Sequence, residues 1–195
     1  NAQAVQVYGG EDAETPDYGK VYISIKAKSG SNLTVATKNS IVQSLKQYAV
    51  ASVQPVIIDP ETTYITLTTG FKYNSGATTK DVSTLETNVL NAIATYNNDT
   101  LENFAGMFRY SKVIEAINDA DTSILSNITT VKMYKYITPT LSSALKYTVS
   151  FNNAFYNPHS GHNSSAGGII SSTGFKINDD SSTNEHFLDD DGAGN

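Results

Sequence analysis

The sequence predicts an α+β fold, a mainly antiparallel sheet with helices packed on one face. Three observations carry this reading. Strand-period and helix-period apolar patterns follow one another as strand, helix, strand, helix, helix, strand across residues 21–139. No long linker interrupts them. After Pro139 the helical period stops, and short apolar alternations read as a small, incomplete all-β region. The expected organisation is an opening segment 1–20, an α+β sandwich 21–139 and a β-rich region 140–195.

Gly9-Gly10, Pro16 and Gly19, with four acids between Glu11 and Asp17, mark a turn-rich opening. Val21, Ile23 and Ile25 alternate with Tyr22, Ser24 and Lys26, as in a half-buried strand. Thr34 or Thr37 suits a helix cap, and Ile41, Leu45, Tyr48 and Ser52 fall on one helical face. Pro55 is expected to end that helical region. Val56-Ile57-Ile58 reads as a short strand, and Ile65, Leu67, Thr69, Phe71 and Tyr73 as a long one, bent at Gly70. Ser83 and Glu86 fit a capping box before Leu85, Val89, Ile93 and Tyr96, with helical continuation beyond Asn97-Asn98-Asp99. Ser111 suits a cap before Val113, Ile114, Ile117 and Ala120. Ile128 to Ile137 reads as a strand. Tyr147, Val149 and Phe151 alternate like another, followed by Ile169-Ile170 and Phe175-Lys176-Ile177. The expected core contains Val21, Ile23, Ile25, Ile65, Leu67, Leu85, Val89, Ile93 and Ile117.

Composition narrows the function. The 195 residues contain no cysteine, which excludes a disulfide framework, a thiolate zinc site and a Cys nucleophile. Charged residues are only 16%, against a usual roughly 25%. Ser, Thr and Asn supply 61 residues instead, a balance common in virion and adhesive proteins. The net charge of −6 resides in the last seventeen residues, because residues 1–178 carry 13 acids and 13 bases. Without a basic excess, nucleic acid is not an expected partner. No apolar run approaches the length of a membrane span. The chain has neither a signal-peptide pattern nor an initiator Met, and reads as a piece of a longer protein.

No motif carries catalysis. His159 and His162 are three apart across a Gly, and no nearby Glu could serve as a base, unlike zinc hydrolase helices. Asp189-Asp190-Asp191-Gly192 lacks the Gly and Glu placement of a calcium loop. There is no nucleophile elbow and no Walker sequence, and Tyr8-Gly9-Gly10 lacks the third glycine of a dinucleotide loop. The expectation is no catalytic residue, no metal, no cofactor and no small-molecule substrate. Exposed aromatics, including Tyr134, Tyr136, Phe155 and Tyr156, suit contact with a sugar or a partner protein.

Val7-Tyr8-Gly9-Gly10-Glu11-Asp12, then Pro16, Tyr18-Gly19-Lys20 and Val21 to Lys26, resemble the large wedge subunit of T-even-type contractile phage baseplates, within the baseplate J-like family. Ile58-Asp59-Pro60 before Tyr64-Ile65, Phe151-Asn152-Asn153, Ile170-Ser171-Ser172 with Phe175, and Asp190-Asp191-Gly192 extend the resemblance along the chain. It implies a virion structural protein of the tail baseplate, assembled in the host cytoplasm. Such a protein would pair with itself, as a homodimer in the parent assembly. It would also join other wedge proteins into a ring and rearrange when the sheath contracts. The family protein is longer, so self-association is expected to be weaker here. The interface candidates are Tyr8, Gly9, Gly10, Glu11, Asp12, Tyr18, Phe155 and Tyr156. Two alternatives remain at this stage. One is a carbohydrate- or receptor-binding module using Tyr156, His159 and His162. The other is a metal-dependent hydrolase.

Overall fold

A period of two at Tyr64–Tyr73 and a period of 3.6 at Val82–Tyr96 set the centre of the fold. The computed structural model describes residues 2–13, 16–28, 30, 32–49, 52–140, 146–153, 170–176 and 186–188. Its elements are β1 (Ala2–Gly9), β2 (Lys20–Ala27), α1 (Val35–Lys46), β3 (Gln54–Ile58), β4 (Tyr64–Tyr73), α2 (Val82–Tyr96), α3 (Tyr110–Asn118) and β5 (Ile124–Tyr134). The class is α+β, as read from the sequence, but the strands divide into two sheets. Among the described residues no helix is long and apolar enough to cross a membrane.

The first sheet has the order β1-β2-β3. β1 runs antiparallel to β2, with Val5 opposite Ile25 and Val7 opposite Ile23. β3 runs parallel to β2, with Ile57 opposite Ile23. Parallel pairing needs a crossover, and α1 supplies it. Thr34 caps α1, its hydroxyl accepting from the Thr37 amide at 3.2 Å. Residues 2–9, read as part of a turn-rich opening, form a strand: the Gly and Pro signals belong to the loop after it, and Val5 and Val7 gain partners only through β2. Helix α1 stops at Lys46, so Tyr48 is 87% exposed, and Pro55 lies inside β3 instead of ending the helix. An edge strand tolerates a residue without an N–H.

The second sheet pairs β4 with β5 antiparallel. Its inner row includes Ile65, Leu67, Thr69 and Phe71, opposite Met133, Val131, Thr129 and Asn127. Val89 from α2, Val113 and Ile117 from α3, and Ile124 from β5 form the buried cluster, with Leu67, Phe71, Ile93, Tyr96, Phe108 and Ala120 packed around it. Leu85, one helical turn before Val89, is also fully buried. Of the expected core, Leu85, Val89 and Ile117 are buried, whereas Val21, Ile23, Ile25, Ile65, Leu67 and Ile93 are half-buried. The three from β2 lie in the other sheet, away from the layer that α2 and α3 seal.

The helix starts differ from their expected positions. Asp81 caps α2, accepting from the Thr84 amide at 2.9 Å, and Ser83 sits inside the helix donating its hydroxyl to Asp81. An ionised carboxylate is the stronger acceptor, and it completes the cap two residues earlier than the Ser83–Glu86 box would. α3 begins at Tyr110 without a side-chain cap, so Ser111 lies within it. A π-helical turn, Asn97–Leu101, prolongs α2 through the expected interruption at Asn97-Asn98-Asp99 and ends before Phe104, which the expected continuation includes.

Buried polar groups tie these pieces together. Asp121 accepts from Lys80 Nζ at 2.5 Å, from Ser123 Oγ at 2.7 Å and from the Ser123 amide at 3.0 Å. Its partners come from the loop before α2, from Asn88 of α2 at 3.4 Å and from the turn before β5. Asn127 Nδ2 donates to the Ile114 carbonyl and to Asn118 Oδ1, and the Tyr110 hydroxyl donates to the Thr129 carbonyl. Both contacts fasten α3 to β5.

The chain divides into two units, 1–152 and 153–195. In the second, Phe175 and His186 exchange backbone hydrogen bonds of 3.0 and 2.8 Å as an antiparallel bridge. The Ser172 amide donates to the Leu188 carbonyl at 2.7 Å. The alternation at Tyr147, Val149 and Phe151 forms no strand, and Ile169 and Ile177 lie outside the described residues.

Two outcomes follow. Leu85→Ala should lower stability by about 2–5 kcal/mol, measured by urea unfolding. The ammonium of Lys80, then the Ser123 donors, hold the Asp121 carboxyl well below the usual carboxylate range. The contribution of Asp121 is therefore complete above the free value of 3.8 and is lost as pH falls below it. Urea midpoints from neutral into acid pH should fall less steeply for Asp121→Asn than for the parent chain.

Candidate protein–protein interface

The loop between β1 and β2 gathers most of the expected contact residues. β1 ends at Gly9, and a single 3-10 turn, Gly10–Asp12, follows. The buried Gly10 carbonyl accepts from the Asp17 amide at 2.9 Å and the Ala13 amide at 3.3 Å, which folds the loop back on itself. A Cβ at Gly10 would collide with the Asp17 carbonyl, so close backbone approach requires glycine there. Gly19 has a φ of +81°, and its carbonyl accepts from the Gln54 amide at 2.8 Å, tying the loop to β3.

Side chains lock the base of the loop. Asp17 accepts from Lys20 Nζ at 2.6 Å and from the Tyr22 hydroxyl at 3.2 Å. The Lys20 ammonium, with help from Tyr22, holds the Asp17 carboxyl below its ordinary value. Tyr8 and Tyr22, directly opposite across the strands, stack with centroids 5.5 Å apart. What remains outward is Glu11, Asp12 and Tyr18, the last 80% exposed. The structure thus brings Tyr8, Gly9, Gly10, Glu11, Asp12 and Tyr18 together. Gly10 shapes the loop from within, and Tyr8 is half-buried against Tyr22. Phe155 and Tyr156 lie outside the described residues, as do His159, His162 and Asp189 to Asp191.

A second surface was only partly legible. Tyr64 and Tyr134 stack at 5.3 Å on the outer face of the second sheet, and Tyr136 meets both edge-on at 5.3 and 5.5 Å. Tyr134 and Tyr136 were expected to be exposed, and they are, but Tyr64 joins them only through the β4–β5 register. The cluster borders an open cleft of about 760 Å³. The charges there are paired. Lys26 meets Glu102, and Lys135 meets Glu61 at 3.0 Å. Lys26, then the Asn97 amide, lower the Glu102 carboxyl below its usual range. Acids held by cations and amides serve packing and contact, and supply no poised base. Among the described residues no three His, Asp or Glu gather as a metal set.

Gly10→Ala should cost about 1–3 kcal/mol through overpacking of the loop. Gly70→Ala, where a Cβ meets open space, should stay within about 0.5 kcal/mol of the parent. Paired thermal unfolding curves check both.

Two family descriptions match the chain. Residues 1–58 match "Baseplate structural protein gp6, C-terminal domain I" and residues 61–136 match "Baseplate structural protein gp6, C-terminal domain III". The junction falls at Asp59-Pro60, between the two sheets. The chain is also 30% identical over 135 residues to baseplate wedge protein gp6 of Enterobacteria phage T4, a match covering 69% of this chain. The chain spans about a fifth of that relative's length. Through residues 1–136, these similarities support a structural protein of the phage tail baseplate, with segments akin to the gp6 C-terminal domains I and III.

Proposed function

We propose that this chain is a non-catalytic scaffold subunit of a contractile tail baseplate wedge, assembled in the host cytoplasm, with the baseplate J-like kinship that its opening motif implies. In this reading it pairs with itself and joins neighbouring wedge proteins into a ring. The observation that carries the reading is the similarity of residues 1–136 to two domains of one baseplate structural protein. The chemistry of the surface supports it. Carboxylates at Asp17, Glu102 and Asp121 are occupied by intramolecular partners, whereas Glu11, Asp12 and Tyr18 face outward on a loop with a rigid base. A loop base fixed by Gly10, Asp17 and Lys20 loses little entropy on docking. Interfaces that hold and later reorganise favour several moderate contacts over one large apolar one.

The expected self-association is weak and symmetric, a dimer. Sedimentation equilibrium across a wide concentration range should show monomer passing reversibly to dimer. A strict monomer at the highest soluble concentration would remove self-pairing from this chain.

A further inference from the structure

We propose that the free edge of β1 is a strand-addition site that takes an extended, basic segment of another baseplate protein. This rests on the scaffold reading above and names the kind of partner and the place where it would dock.

The first ground is the edge itself. β1 lies at the margin of its sheet and pairs only with β2 among the described residues, so its other row of backbone donors and acceptors faces away from the sheet. Exposed edges invite another chain, and natural sheets blunt them with Lys, Pro or bulges. The other edge strands each carry such a residue, Pro55 in β3, Lys72 in β4 and Lys132 in β5. β1, AQAVQVYG, has neither charge nor proline. Its single irregularity is the register shift between Ala2 and Ala4, which leaves Val5 to Gly9 in regular pairing.

The second ground is apolar surface in the right period. Val5 and Val7 project from the same face of β1, and they are 53% and 58% exposed. A neighbouring strand with apolar residues at alternate positions would extend this face. Backbone bonds would give affinity and the alternating side chains selectivity.

The third ground is charge. Residues 1–19 contain Glu11, Asp12, Glu14 and Asp17 and no Lys or Arg. Asp17 is held by Lys20, but Glu11 and Asp12 are exposed at the end of β1 and are not ion-paired among the described residues. A second copy of this chain would bring like charges together here, whereas a basic segment would find complementary ones. The occupant is therefore a heterologous strand with apolar alternation and Lys or Arg at the end reaching Glu11 and Asp12.

The experiment uses overlapping synthetic peptides that tile the other tail proteins of the same virion, bound to the whole chain. Binding peptides should be basic with period-two apolar residues. They should slow amide exchange at alternate residues of β1, where only outward N–H groups gain partners. Glu11→Lys combined with Asp12→Lys should weaken them about tenfold, the scale of two exposed ion pairs. Val5→Lys combined with Val7→Lys, the natural edge-blocking chemistry, should abolish binding while circular dichroism confirms that the chain stays folded. The inference is overturned if no tiled peptide binds, if binders are acidic, if protection falls outside β1, or if β1 is protected by self-pairing alone. Loss of peptide binding at β1 leaves the dimer expected in sedimentation untouched, and a strict monomer leaves the edge site untouched, so the self-pairing of the scaffold reading and the edge site fail separately.

Discussion

Burial of Leu85, Val89, Val113, Ile117 and Ile124 between the α2–α3 pair and the β4–β5 sheet is the constraint on which the fold depends. Every fully buried hydrophobic side chain among the described residues comes from these elements. At about 1.5–3 kcal/mol for each large side chain removed from water, this cluster is the principal apolar source of stability. The segment matching C-terminal domain I has no equivalent. Among its described residues the buried ones are Gly10 and Ser24, and the described valines and isoleucines stay half-buried or exposed. The backbone ladders of β1, β2 and β3, the α1 crossover and the locked loop hold that segment in shape.

Such an asymmetry assigns the two halves different physical tasks. The 61–136 segment is sealed by packing and pinned by Asp121 and Asn127, whose hydrogen bonds leave little freedom in the turns they close. The 1–58 segment keeps apolar strand surface and free acids outward. Lys26 of this segment meets Glu102 of the other. Ion pairs that are partly open to water contribute modestly. One half is thus sealed by packing, whereas the other keeps surface still to bury.

The opening loop follows the same economy of charge. Asp17 is spent on Lys20 and Tyr22, Gly10 and Gly19 fix the backbone path, and Tyr8 is stacked on Tyr22. Only then are Glu11, Asp12 and Tyr18 presented outward. The tyrosine cluster of Tyr64, Tyr134 and Tyr136 is a second pre-ordered surface, rigid because two of its rings stack as cross-strand partners.

Elements whose signals are local were readable from the residues alone. Periodicity placed β2, β4, α2 and α3, because a buried face repeats every two or 3.6 residues wherever it packs. Thr34 and Thr37 together marked the start of α1, where Thr34 is the cap. The motif from Val7 to Lys26 pointed to the baseplate. Tertiary structure decided what depends on partners distant in sequence. β1 became a strand because Lys20–Ala27 lies beside it, against a neighbourhood of Gly and Pro that reads as a turn. Pro55 entered a strand because β3 lies at an edge, where a missing N–H costs nothing. Asp81, two residues before Ser83, took the cap because an ionised carboxylate outcompetes a hydroxyl. The division into two sheets, the exposure of Val5 and Val7, and the meeting of Tyr64 with Tyr134 follow from register, which no single segment encodes. Local patterns state which face of an element is apolar, whereas only the assembled chain decides which of those faces are covered.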